Sequence, residues 1–212
     1  MYLFSRRGRI ASGNNRKAMA QALAITEKVN QITSIGISLY AQVYSPDVGT
    51  LVWSSFVPDL ATLEAATDKL NADDGFASMV DDFAPLTTGQ IDDGLMQLVH
   101  GQPDPNRSVE YVTAVQAVCA NGNVGKGIEV GVEIAQRVEK ATGVPTLFAT
   151  TTTGVYGGVG WFSAYADIAA MEAAEAAIAA DASFVKFVDS KAGDVYASEP
   201  MLTQQLVFRR IV

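Results

Sequence analysis

Residues 48–83 read VGTLVWSSFVPDLATLEAATDKLNADDGFASMVDDF, and residues 156–191 read YGGVGWFSAYADIAAMEAAEAAIAADASFVKFVDSK. Aligned at an offset of 108, thirteen of the 36 positions are identical, including Gly49/Gly157, Trp53/Trp161, Ser55/Ser163, Asp59/Asp167, Glu64/Glu172, Phe76/Phe184 and Val80/Val188. Chance agreement is far lower, so one structural unit of roughly 100 residues is used twice. Upstream the likeness continues at an offset of 109 through Tyr2/Tyr111, Gly13/Gly122, Asn14/Asn123, Lys17/Lys126, Ile25/Ile134 and Val29/Val138. One residue drops out near 41–48.

Each copy parses in the same order. Residues 2–10 and 109–119 are rich in Tyr, Phe, Val and Ile and read as strands. Gly13-Asn14 and Gly122-Asn123 follow as turns, with Asn suited to cap a helix. Apolar residues then recur every three or four positions from Met19 to Ile32 and from Ile128 to Ala141, predicting a helix in each copy. Strands are expected at 36–44, 49–57, 145–153 and 158–165. Asp59 and Asp167 are placed to cap a second helix, followed by a short helical tail at Phe76–Val80 and Phe184–Val188. Closing strands are expected at 92–99 and 202–211.

The expected fold class is therefore α+β: two ferredoxin-like βαββαβ repeats, 1–100 and 109–212, joined by the linker 101–108 with its two prolines. Among solved folds the chain resembles a tandem member of the dimeric α/β-barrel (ferredoxin-like) superfamily. The stretches GTLVWSSFVPDLATLEAATDKLNAD and GGVGWFSAYADIAAMEAAEAAIAADASFVKFV are similar to NIPSNAP-type and antibiotic-biosynthesis-monooxygenase-type domains. The shared elements are a Trp on the third strand, a polar turn, an Ala/Glu helix and a closing D..F...V segment. The resemblance implies an intrachain pseudo-dimeric barrel.

It also implies where chemistry would sit. In monooxygenases of this type a Trp near the third strand, with polar partners, lines a pocket for flat phenols, and no cofactor is needed. Trp53 and Trp161 hold that place, and Tyr40, Tyr44 and Tyr165 are candidate donors. Those enzymes carry an Asn early on the first strand, and neither copy here has one. Arg7 and Arg9 share one face of the first strand and Arg6 takes the other. Their counterparts Val115, Val118 and Gln116 are uncharged, so the arginines are candidates for an anionic group. The plainer reading makes the tryptophans core anchors and the arginines exposed strand charges.

Composition bounds the rest. The 212 residues carry a net charge of −8, which disfavours sequence-independent nucleic-acid binding. No apolar run is long enough to span a bilayer, and Cys119 is the only cysteine, so a cytoplasmic location and no membrane association are expected. Cys119 reads as a small core residue. His100, the only histidine, reads as a polar loop residue. One His and one Cys do not make a metal site of the usual ligand types, so no metal and no cofactor are expected. The paired acids Asp73-Asp74, Asp81-Asp82 and Asp92-Asp93 read as solvated loops. Between Asp167 and Asp181 lies an alanine-rich helix suited to a homo-oligomer contact. The expected function is that of a small-molecule-binding protein with a pocket between sheet and helices, for an apolar or anionic ligand. A cofactor-independent monooxygenase of an aromatic substrate, or a structural or assembly protein with no open site, are the alternatives.

Overall fold

A computed structural model describes residues 1–199 and 202–212. The chain falls into two compact units, Met1–Leu95 with Arg210–Val212, and Met96–Arg209. The first contains β1 (Tyr2–Ile10), α1 (Asn15–Ile32), β2 (Ser38–Val43), β3 (Thr50–Val57), α2 (Leu60–Asn71), α3 (Asp74–Phe83), a single 3₁₀ turn (Ala84–Leu86) and most of β4 (Thr87–His100). Its sheet runs β4-β1-β3-β2, the order a split βαβ requires, with β3 antiparallel to both of its neighbours. Beyond β2, the Leu39 N–H donates to the Val212 carbonyl and the Ile211 N–H to the Leu39 carbonyl, so the last residues extend this sheet.

In the second unit come β5 (Tyr111–Val118), α4 (Val124–Thr142), β6 (Thr146–Thr151), β7 (Gly158–Tyr165), α5 (Ile168–Ala180), α6 (Ala182–Val195) and β8 (Gln204–Arg210). Its sheet runs β8-β5-β7-β6, with Met96–Leu98 of β4 paired antiparallel to β6. The α+β class and the strand positions agree with the sequence reading.

Four local expectations change. Asn14 and Asn123 stand at the helix N-caps, but neither side chain caps its helix; Asn123 instead donates to the Asp194 carbonyl at 3.1 Å. The short tails after the second helices are full helices, α3 and α6, because Asp73 and Asp181 each cap a new N-terminus through Phe76 N–H and Phe184 N–H. So Asp73 is not a loop acid, and Asp81-Asp82 lie on α3. Asp92-Asp93 lie in β4. Tyr44 falls past the end of β2, in a turn where it holds a φ of 51°.

In the first unit α1 packs Ala18, Ala22, Ile25 and Val29 onto Leu39, Leu51 and Trp53 of the sheet, closed off by Phe83 and Leu86. The second unit repeats the scheme with Val130 and Ala135 of α4 against Phe148, Val159 and Trp161, and with Phe187, Val195 and Tyr196.

Asp73 ties this frame to pH. Its carboxylate accepts from Lys28 Nζ at 2.9 Å and from Phe76 N–H at 2.7 Å, and those bonds, the lysine first, hold its pKa below the ordinary carboxylate value. Asp59 and Asp181 are lowered too, by bonds from Thr62 and from Ser183 and Phe184. A folded-state pKa below the unfolded value near ~3.9 gives stability that is complete above that value and drains as pH falls through the lower one. Urea unfolding between about pH 7 and about pH 2.5 should lose stability mainly below ~pH 4, and Asp73→Asn should flatten that loss. An unchanged slope in the variant would clear Asp73 of the effect.

Candidate functional site

Residues directly opposite in an antiparallel pair share a sheet face, which sorts every candidate. In the first unit Leu51, Trp53 and Leu39 face α1. Arg6 stands opposite Trp53 and so lies on that side, where Nε and Nη2 donate to Asp93 of the neighbouring β4 at 2.7 and 2.8 Å. Arg7 stands opposite Val52, and Val52 opposite Tyr40, so the three form one row on the face away from α1. Arg9, opposite Thr50, lies on the same face.

The tryptophans are core residues. Trp53 is 5% exposed, donates its indole N–H to Thr26 Oγ1 at 2.9 Å and meets Phe83 edge-on at 5.6 Å. Trp161 is 7% exposed and donates to the Gly131 carbonyl at 2.8 Å, between Phe148 at 5.2 Å and Tyr196 at 5.6 Å. Side chains thus fill the space around both rings. Tyr165, 2% exposed, shares the Trp161 face and lies 3.4 Å from Thr113 Oγ1, hydroxyl to hydroxyl. Tyr44 is 79% exposed in its turn. The arrangement brings Arg7, Arg9 and Tyr40 to one face and leaves Trp53, Trp161, Tyr165 and Tyr44 elsewhere.

The arginines have carboxylate neighbours. Arg7 Nε lies 3.7 Å from Asp92 Oδ2, and Arg9 Nη1 lies 3.1 Å from Asp47 Oδ1. All four side chains are more than half exposed, so these pairs contribute little to stability. Tyr40 is partly buried, and burial raises its pKa against the opposing pull of Arg210 and a hydrogen bond with Ser38. The phenol therefore keeps its proton at neutral pH and can donate it. In sequence Arg210 is one of an Arg-Arg pair, and only the pairing of Ile211 and Val212 with β2 brings it to Ser38.

Among the described residues the surface carries open grooves, of which two are notable. One, about 700 Å³, runs along α1 by Ala20, Leu23, Ala24 and Val212. The other, about 560 Å³, lies at the junction of α5 and α6 by Ala179, Val185 and Lys186. None of the seven candidates lines either groove. On α5 the residues Ile168, Ala169, Ala173, Ala176 and Ala180 are exposed.

Cys119 is buried, and burial pushes its thiol pKa up, as suits a core residue and not a nucleophile. His100 ends β4, with Nε2 3.6 Å from Glu139 Oε2, so it belongs to a strand end and not to a loop. Among the described residues, no group of three or more His, Cys, Asp or Glu is placed to hold a metal ion. No helix among them is long and apolar enough to cross a membrane.

No family model matches the chain, and no curated protein matches it. Solved structures do. A candidate monooxygenase from Fusobacterium nucleatum superposes over 100% of this chain and 92% of its own, with a TM-score of 0.72 at 10% identity. An anthrone oxidase-like protein covers 100% of this chain and 91% of its own, with a TM-score of 0.66 at 13% identity. A NIPSNAP domain protein from Burkholderia xenovorans matches 49% of this chain and 100% of its own, with a TM-score of 0.42 at 16% identity. At these identities the first two show a shared α+β fold and nothing beyond it.

Proposed function

We propose that this protein binds a small molecule bearing an anionic group, on the face of the first unit's sheet that is turned away from α1. The observation that carries the reading is the row Arg7–Val52–Tyr40, flanked on that face by Arg9, Ser5, Ser38 and Ser54. Such a face is built for polar contact. The corresponding face of the second unit's sheet is mostly apolar, carrying Val112, Ala114, Leu147, Ala149, Phe162, Leu206 and Phe208 with Gln116 and Gln204 at one end. If both units descend from one duplicated ferredoxin-like repeat, this contrast is what specialisation of one copy would leave. The space between sheet and helices, filled around Trp53 and Trp161, is the poorer place for a ligand.

Native mass spectrometry, followed by denaturation of the same sample, tests the reading. The expected result is extra mass that is lost on denaturation and reduced in Tyr40→Phe. A bare chain mass, with no carboxylate or phosphate compound raising the Tm, would leave the structural or assembly role.

A second reading, favoured by likeness to the anthrone oxidase-like fold, is a monooxygenase that needs no cofactor. In that chemistry an anthrone and O₂ give an anthraquinone and water, with the substrate's own anion supplying the electrons. The Tyr40 phenol beside Arg210 would hold that anion's oxygen. Oxygen uptake with an anthrone, abolished in Tyr40→Phe, would establish it; none in the wild type would remove it.

A further inference from the structure

We infer that Arg210, Ser38 and Tyr40 form the anion-receiving end of this face, and that the ligand presents a single carboxylate there on a short apolar body. The inference rests on the binding reading above and names its chemistry. Arg6, Arg7, Arg9 and Arg209 each have a carboxylate within ion-pair distance: Asp93, Asp92, Asp47 and Glu110. Arg210 differs. Among the described residues it meets no carboxylate, and its Nη2 donates at 3.1 Å to the neutral hydroxyl of Ser38.

Ser38 and Tyr40 are two apart on β2 and so share a face, Ser38 opposite Ser54 and Tyr40 opposite Val52. Tyr40 is the next side chain after Ser38 on this face, and the Arg210 charge pulls its pKa down against the rise from burial. A guanidinium, an alcohol and a protonated phenol are thereby gathered with one net positive charge and no counter-ion. Arg presents its donors as a planar fork that matches two carboxylate oxygens.

The surroundings set charge and size. A phosphate carries up to ~2 negative charges, and the next cations on the face, Arg7 and Arg9, already have Asp92 and Asp47. One charge is what Arg210 can neutralise. Moving along the row from Tyr40, the next side chain is Val52, one strand spacing of about 4.8 Å away. After it comes Arg7 with Asp92, whose carboxylate repels a second anionic group. A compact apolar body over Val52 fits between them.

Sodium benzoate, inorganic phosphate and benzyl alcohol are the probes, titrated calorimetrically into the whole chain at constant ionic strength. Benzoate is expected to bind, and benzyl alcohol, its uncharged analogue, not to bind. Arg210→Met should weaken benzoate at least tenfold and Tyr40→Phe several-fold. Arg210→Met should unfold at the wild-type temperature without ligand, because Arg210 is exposed. Equal benzoate affinity in Arg210→Met, phosphate binding tighter than benzoate, or no benzoate binding to the wild type overturns the inference. If Arg210→Met still retains a co-purified small molecule, only this inference fails. A wild type that retains nothing and responds to no probe ends the binding reading as well.

Discussion

Trp161→Ala should destabilise the protein by about 3–5 kcal/mol, the range for emptying a large buried aromatic site. The ring is 7% exposed, lies against Phe148 and Tyr196 and spends its N–H on the Gly131 carbonyl. Removing it opens a cavity between sheet and α4 whose walls, the fully buried Phe148 and Val195, belong to rigid elements that cannot close it. Trp161→Phe keeps most of the apolar volume and loses the indole hydrogen bond, so about 1–2 kcal/mol is expected. Urea unfolding curves measure both. A loss below ~1 kcal/mol for the alanine variant would mean that the ring lines open space, and would restore it as a candidate pocket wall.

Gly131→Ala should be harmful although alanine is the better helix former. In an exposed helix the exchange gains about 1 kcal/mol. Here a Cβ on residue 131 would fall well inside contact distance of Phe148 Cζ and Cε2, and 2.9 Å from Cε1. Phe148 is fully buried and stands opposite Trp161, so the ring has nowhere to go. The net loss should be about 2 kcal/mol or more, within the usual range for overpacking. The first copy shows the compensation: at the offset of 109, Gly131 and Phe148 correspond to Ala22 and Leu39, both fully buried. Phe148→Leu should therefore rescue Gly131→Ala, and a double-mutant cycle should give a coupling of about 1–2 kcal/mol. Additive losses would show that the two positions do not share one space.

The same correspondence explains a difference between the tryptophans. Trp53 finds a hydroxyl on α1, Thr26 Oγ1, whereas the matching position in α4 is Ala135. Trp161 consequently turns to a backbone carbonyl one turn earlier. The repeat made both tryptophans visible in the sequence, but their hydrogen-bond partners lie on another element and depend on the helix–sheet packing.

Of the candidate site, the sequence supplied the alternation that sets Arg7 and Arg9 apart from Arg6. It also supplied the phenol at Tyr40. It left the tryptophans open between pocket wall and core anchor, because an aromatic on the third strand looks the same whether it lines a pocket or fills a core. As paired acids Asp92 and Asp93 read as solvated, although they open the expected strand 92–99; the sheet places them beside Arg7 and Arg6.

What the sequence determined by itself was local or periodic: the strands, the two amphipathic long helices, and the Asp59 and Asp167 caps. Each depends on residues a few positions apart, where backbone geometry fixes the outcome. What only the tertiary structure decided was contact across the chain. The closing of both tryptophan environments, the carboxylate beside each first-strand arginine, and the arrival of Arg210 at Ser38, 172 residues away in sequence, all depend on strand register. Register is set by the packing of whole sheet faces, and no local pattern around Arg210 records which strand it will meet.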